Sequence, residues 1–238
     1  MSEIRTVVPK EIDAYLEALV RKGIFANKAE LVRAALVQYV TQTGTIFKGF
    51  DSENIFSPDG RVYQLEYARE SSAGGLTTVA MVCEDGILLA HEAHKGSRLT
   101  VPVLKIVRIG EKLAVTYSGL MADASVPVEE LRAKTPKSTD EAIRVVREVY
   151  LRHTLSRTLR PLGASLLVAS LLDRKPRLVL VDPSGATVEE LAAAIGLRGE
   201  EVLAILESKY RRMKLADAEK LLPELFGKGV AFEALKLG

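Results

Sequence analysis

An α+β fold is predicted, an antiparallel β-sandwich between helix layers, with a small unit of its own in front. Three observations point there. Strand-length apolar runs come in adjacent pairs joined by turn signals. A helix-rich middle separates those pairs, and two short helical patterns open the chain before any of them. With 238 residues, 47% of them apolar, the chain has room for a domain of roughly 150–190 residues and a smaller companion.

The front unit reads as strand, helix, turn, helix. "IRTVV" is short and β-branched, and Pro9 then stops strand pairing and suits a helix start. "KEIDAYLEALVRKG" sets Ile12, Leu16, Leu19 and Val20 at helical spacing, with Gly23 as C-cap. "NKAELVRAALVQYV" follows, with Asn27 as N-cap and Leu31, Ala34, Ala35 and Tyr39 along one stripe. Such a unit is too small for a core of its own, and a lone strand leaves its backbone groups unpaired. The simplest remedy is the same unit of a second chain, an intertwined homodimer.

"TQTGTIFKGFDSEN", residues 41–54, has neither helical nor strand period. The predicted organisation is a unit over 1–45, a linker over 46–55 and a large domain over 56–238. In the large domain "SPDG" is a turn and "RVYQLEYARESS" a short helix ending near Gly74-Gly75. "LTTVAMVCEDGILLAHEA" gives two strands about Asp85-Gly86, and "VLKIVRIGEKLAVTYSGL" two more about Gly110-Glu111. Helices are expected over 122–159, a third strand pair in "GASLLVASLLDRKPRLVLVDPSG", mostly helix over 187–226, and one closing strand in "VAFEALKLG".

Composition excludes several classes of function. Lys and Arg number 33 against 31 Asp and Glu, so no anionic partner is demanded by the whole chain. Cys83 is the single cysteine; it makes no internal disulfide and reads as a small core residue. His91 and His94 stand three apart at a strand end and face opposite sides, which is not a metal pair. His153 lies in a basic stretch with Arg152, Arg157 and Arg160, read as a solvated helix end. No metal and no cofactor are expected. Charge within the first residues argues against a signal peptide, and no apolar run is long enough for a membrane span, so a cytoplasmic protein is expected.

"VVPKEIDAYLEALVRKGIFANKAELVRAALVQYV" resembles the ribbon-helix-helix repressors. The resemblance implies a dimer whose paired strands enter the DNA major groove and whose second helix holds a phosphate at its N-terminus. It would turn Ile4, Thr6 and Val8 to the core and Glu3, Arg5 and Val7 to DNA, with Asn27 and Lys28 at the phosphate. Arg5 suits a guanine edge or a phosphate, whereas Val7 offers a methyl contact and Glu3 repels phosphates. A dimerisation clip without a reading face stands equally open.

"FSPDGRVYQLEYARE", "SGLMADA", "RPLGASLL", "DPSGA" and "AIG", in that order across residues 56–213, resemble the α-type proteasome subunits. The resemblance implies a sandwich of the N-terminal-nucleophile hydrolase type. It also implies subunit contacts at Tyr63, Gln64 and Tyr67. Active relatives begin at a threonine whose amine acts as base. "GGLTTVAMV" puts Leu76 at that position, so no peptidase activity is expected, and Thr77 would point to the other face. Lys105 matches the catalytic lysine of active relatives and the tail-binding lysine of α-type ones; an ordinary surface lysine is the equally open reading.

The match departs in places. "GFDSENIF" lacks the family's Tyr-Asp-Arg gating cluster, "TLSRTLRP" replaces a Gly-Gly with Arg157-Thr158, and the chain ends before a further helix and strand. An odd-numbered ring also cannot pair all its front units. The function expected on these grounds is a non-catalytic α-like protein acting as an oligomeric DNA-binding regulator. The alternative is a structural α-type ring component with β-type partners. A stand-alone hydrolase would need a nucleophile that the sequence does not offer.

Overall fold

The computed structural model describes residues 7–42, 50, 52–93, 99, 105–173, 175–227 and 230–236. The chain divides into two compact units, 1–49 and 50–238, and the division falls inside the stretch read as linker.

In the first unit α1 (Lys10–Arg21) follows Pro9, and α2 spans Lys28–Gln42. Asn27 caps α2: its Oδ1 accepts from the Glu30 amide at 2.8 Å, while a Glu30 carboxylate oxygen accepts from the Ala26 amide at 2.8 Å. Lys28 Nζ reaches back to Asp13 Oδ1 (2.7 Å) and Glu17 Oε1 (2.8 Å), tying the helices on their polar side. The apolar side is not closed. Leu31 is buried, but Ile12, Tyr15, Ile24, Leu36, Val37 and Tyr39 are exposed. Ala34 and Ala35, expected on the stripe with Leu31 and Tyr39, are exposed as well. Glu3 and Arg5 lie outside the described residues, as does most of the predicted strand; Val7 is 98% exposed.

The second unit opens with α3 (Tyr63–Ala73) and then builds two antiparallel sheets. The strands are β1 (Thr78–Cys83), β2 (Gly86–Glu92), β3 (Ile106–Arg108), β4 (Leu113–Gly119), β5 (Ala164–Ser170), β6 (Arg177–Val181), β7 (Thr187–Glu190), β8 (Ala192–Ile195) and β9 (Val230–Lys236). One sheet runs β8-β1-β2-β9 and the other β3-β4-β5-β6-β7. Helices α4 (Met121–Lys134) and α5 (Thr139–Thr154) precede β5, while α6 (Gly199–Lys209) and α7 (Leu215–Phe226) precede β9.

The period of two in each strand sorts its side chains into three cores. Ala80, Ile87, Leu89, Ala114, Leu167 and Ala169 meet between the sheets. Val79, Met81, Cys83, Leu88 and Ala90 point outward against Val202, Leu206, Leu222 and Leu225 of α6 and α7. Val115, Tyr117, Leu166 and Val168 point the other way, against Leu131, Val146, Val149 and Tyr150 of α4 and α5. Both faces of the central strands are covered, which is why they read as continuous apolar runs rather than as alternation. The layers are therefore helix, sheet, sheet, helix.

One expectation is corrected. Residues 187–195 are not helical: β7 and β8 occupy them, and the chain passes from one sheet to the other through Leu191. "EELAAAI" favours helix on its own, but Ala192–Ile195 gains a full antiparallel register on β1, and tertiary pairing overrides that weak preference. Among the described residues no helix is long and apolar enough to cross a membrane. None of their His, Cys, Asp and Glu form a cluster that would hold a metal.

Candidate functional site

The sequence motifs converge where α3 crosses the start of β1. α3 is held there by hydroxyls. Ser72 Oγ donates to Ser165 Oγ at 2.6 Å, and Ser118 Oγ donates to the Ser72 carbonyl at 2.8 Å. Arg69 pairs with Asp182 in the β6–β7 turn at 3.1 Å. Arg61 forms a two-pronged pair with Glu66, holding the entry to the helix. Tyr63 and Gln64 are half-buried, and Tyr67 is exposed on the outer face.

Leu76 follows α3 and Gly74-Gly75 as an interior peptide, half-buried. Its side chain carries no nucleophile. The two neighbouring threonines are fully buried and already engaged. Thr77 Oγ1 accepts from the Arg198 amide at 3.2 Å. Thr78 Oγ1 donates to the carbonyl of Tyr117 at 3.1 Å. Both hydroxyls thus serve to splice β1 to its surroundings.

Lys105 is not an ordinary surface residue. It is 8% exposed, and its ammonium lies 4.7 Å from the centre of the Tyr117 ring. Burial drives its pKa down to about 8. Its amide donates to His91 Nε2 at 3.3 Å. Burial, together with the nearby lysine charge, also lowers the pKa of His91, although a hydrogen bond at the Glu92 carbonyl opposes this. His94 lies outside the described residues. Cys83 is buried, as read.

The basic stretch after α5 is neutralised rather than open. Arg160 forms a two-pronged pair with Asp123 (2.6 and 2.8 Å), and Arg157 pairs with Glu53 at 2.6 Å. His153 Nδ1 lies 3.1 Å from the Arg160 carbonyl. The sequence reading missed Asn54. Its Nδ2 faces the carbonyls of His153 (3.0 Å), Ser156 (2.9 Å) and Leu159 (2.7 Å), fastening the segment before α3 to the end of α5. An isolated Asn in a predicted linker carries no signal for a partner about a hundred residues away.

Around this end of the sandwich Phe56, Tyr67, Leu120, Met121, Leu155 and Leu159 are all exposed. Large apolar side chains set on helix starts and anchored turns suit packing against another protein surface better than chemistry.

Comparison with known proteins gives the fold a family. Residues 72–231 match the family described as "Proteasome subunit", and residues 51–70 match the N-terminal signature of its A-type members. Among curated relatives, the proteasome alpha subunit of Thermococcus sibiricus is 38% identical over 186 residues, covering 73% of this chain and 71% of the relative. That of Pyrococcus abyssi is 39% identical over 186 residues with the same coverage. That of Archaeoglobus fulgidus is 35% identical over 175 residues, covering 68% of this chain and 71% of the relative.

These relatives overturn the DNA-binding regulator expected from the sequence. The front unit agrees with the correction, since Lys28 spends its charge on Asp13 and Glu17, and Asn27 occupies an amide at the start of α2. With its signature helix in place and its sandwich matched beyond it, the chain belongs to the α-type branch of the proteasome family.

Proposed function

We propose that the chain is a structural, non-catalytic α-type subunit that assembles into a ring and caps catalytic β-type partners. The observation that carries this reading is α3 itself. The signature helix is pinned across the sandwich end by Ser72 and Ser118, just ahead of Leu76, and presents Tyr67 outward. Tyr63, Gln64 and Tyr67 then contact the neighbouring protomer, and Lys105 offers a cation to a partner's tail. The organisation proposed is the assembly domain over 56–238, a linker over 46–55, and a ribbon-helix-helix pairing unit over 1–45.

The pairing unit joins two copies through its exposed apolar residues, Ile12, Tyr15 and Leu36 among them. In a ring with an odd number of protomers such pairs cannot all close internally, so the unit links rings.

Light scattering after gel filtration tests the proposal, together with peptide hydrolysis with and without β-type subunits from a relative. A ring-sized mass and hydrolysis only in the mixture are expected. Hydrolysis by this chain alone, or a dimeric mass that β-type subunits leave unchanged, overturns it. Deleting residues 1–45 should abolish ring pairing and preserve the ring.

A further inference from the structure

A cavity of 490 Å³ lies at the far end of the sandwich from α3, where β1 ends. The six residues of β1 put it about 20 Å from Leu76. Its floor is Val82 and Cys83, and its walls are Pro176, Leu191 and Tyr210. Lys175 and Arg212 complete the lining, which contains no carboxylate among the described residues.

The walls are fixed by the backbone. Tyr210 donates its hydroxyl to the Val82 carbonyl at 2.8 Å, and the Val82 amide donates to the Leu191 carbonyl at 2.8 Å. Leu191 is the single residue between β7 and β8 and is 68% exposed at the rim. Burial pushes the Cys83 thiol up to about 11, with the Asp85 charge adding to the effect, so the floor stays uncharged at neutral pH. Lys175 and Arg212 form no ion pair among the described residues, although other cations of the domain, Arg177, Arg198 and Lys209 among them, do.

A preformed cavity with an apolar floor and two cations that form no ion pair among the described residues asks for a ligand with an apolar body and one negative end. We infer that this cavity binds a small amphiphilic carboxylate, its hydrocarbon part against Val82, Cys83 and Leu191 and its carboxylate at Lys175 and Arg212. The volume lies within the range of small-molecule pockets, about 300–1,000 Å³. The site is independent of ring assembly, so either proposal can fail without the other.

The probe is octanoate, titrated into the full-length protein by calorimetry. 1-Octanol, which keeps the apolar body, and acetate, which keeps the charge, serve as controls. Saturable heat is expected for octanoate and for neither control at the same concentration. The double variant Lys175→Glu, Arg212→Glu should weaken octanoate by about tenfold or more, each lost charge-assisted bond contributing. Both side chains are exposed, so far-UV circular dichroism should stay unchanged. Equal binding of octanol, unaltered affinity in the double variant, or no saturable heat in the wild type overturns the inference.

Discussion

The ammonium of Lys105 sits over the Tyr117 ring, 4.7 Å from its centre, and forms no ion pair with any described carboxylate. Attraction to the ring offsets only part of the cost of burying the charge. Burial therefore lowers the pKa from 10.5 to about 8. Below about pH 8 both folded and unfolded chains carry the proton, and the folded state bears the whole penalty. Between about 8 and 10.5 the folded state gives up its proton first, so stability rises with pH across that window, by about 3 kcal/mol at most. Urea midpoints from pH 7 to 10 should rise for the wild type relative to Lys105→Met, and the variant should be the more stable at pH 7. Parallel midpoints for the two proteins would show that the amine is not desolvated.

Asp123 presents the opposite sign. Burial alone would raise its pKa, but the Arg160 guanidinium and the Gly163 amide, at 2.7 Å, outweigh it and hold the carboxyl below its usual value. The stability this supplies is complete above the ordinary aspartate range and is lost as pH falls through the lower folded value. Asp123→Asn keeps the shape and removes the charge, so it should cost about 1–3 kcal/mol at pH 7. Its acid unfolding limb should also be shallower than that of the wild type. An unchanged limb would assign the pair no part in acid stability.

What the sequence made legible follows from how local each signal is. The hairpin of β1 and β2 was readable because Asp85-Gly86 and the flanking apolar runs lie side by side. The α3 motif was readable because its turn and helix are contiguous. β8 was not, since Ala192–Ile195 becomes a strand only through β1, far back in the chain; β7 pairs with its chain neighbour β6, Val188 opposite Leu180, but its charged Glu189-Glu190 hides the strand pattern. The depth of Lys105 was equally hidden: a lysine just before a strand reads as exposed until Tyr117 and His91 are brought around it. The regulator reading failed for another reason. The helix starting at Asn27 has the residues of an anion site, but Lys28 is already neutralised by α1.

Asn54 tests how firmly the segment before α3 is held. Its side-chain amide gathers three carbonyls from α5 and the following turn; that of His153 also accepts from the Ser156 amide, whereas those of Ser156 and Leu159 have no other donor among the described residues. Asn54→Ala should cost about 1–3 kcal/mol, through carbonyls left unsatisfied. Hydrogen exchange should quicken at residues 153–160 and 52–57 and stay unchanged in β1 and β5. Uniform acceleration across the sandwich would mean that the segment is no separate unit of stability.

Gly119 decides whether α3 is clamped by crowding or merely by hydroxyls. It ends β4 at φ +103°, and a Cβ placed there would stand 2.2 Å from the Gly163 carbonyl oxygen and 2.9 Å from the Cα atoms of Ala164 and Ser72. All three neighbours are backbone, so none can step aside without moving β5 or α3. Gly110 also has a positive φ, +89°, but a Cβ there meets nothing within 4 Å. The two positions therefore separate conformational strain from close approach. Gly110→Ala should cost only the left-handed penalty, about 1–2 kcal/mol. Gly119→Ala should cost more than about 4 kcal/mol and loosen α3 from the sandwich, which limited proteolysis would detect as faster cleavage between residues 56 and 75. Equal losses at the two glycines would leave strain as the whole effect, with crowding playing no part in how α3 is held.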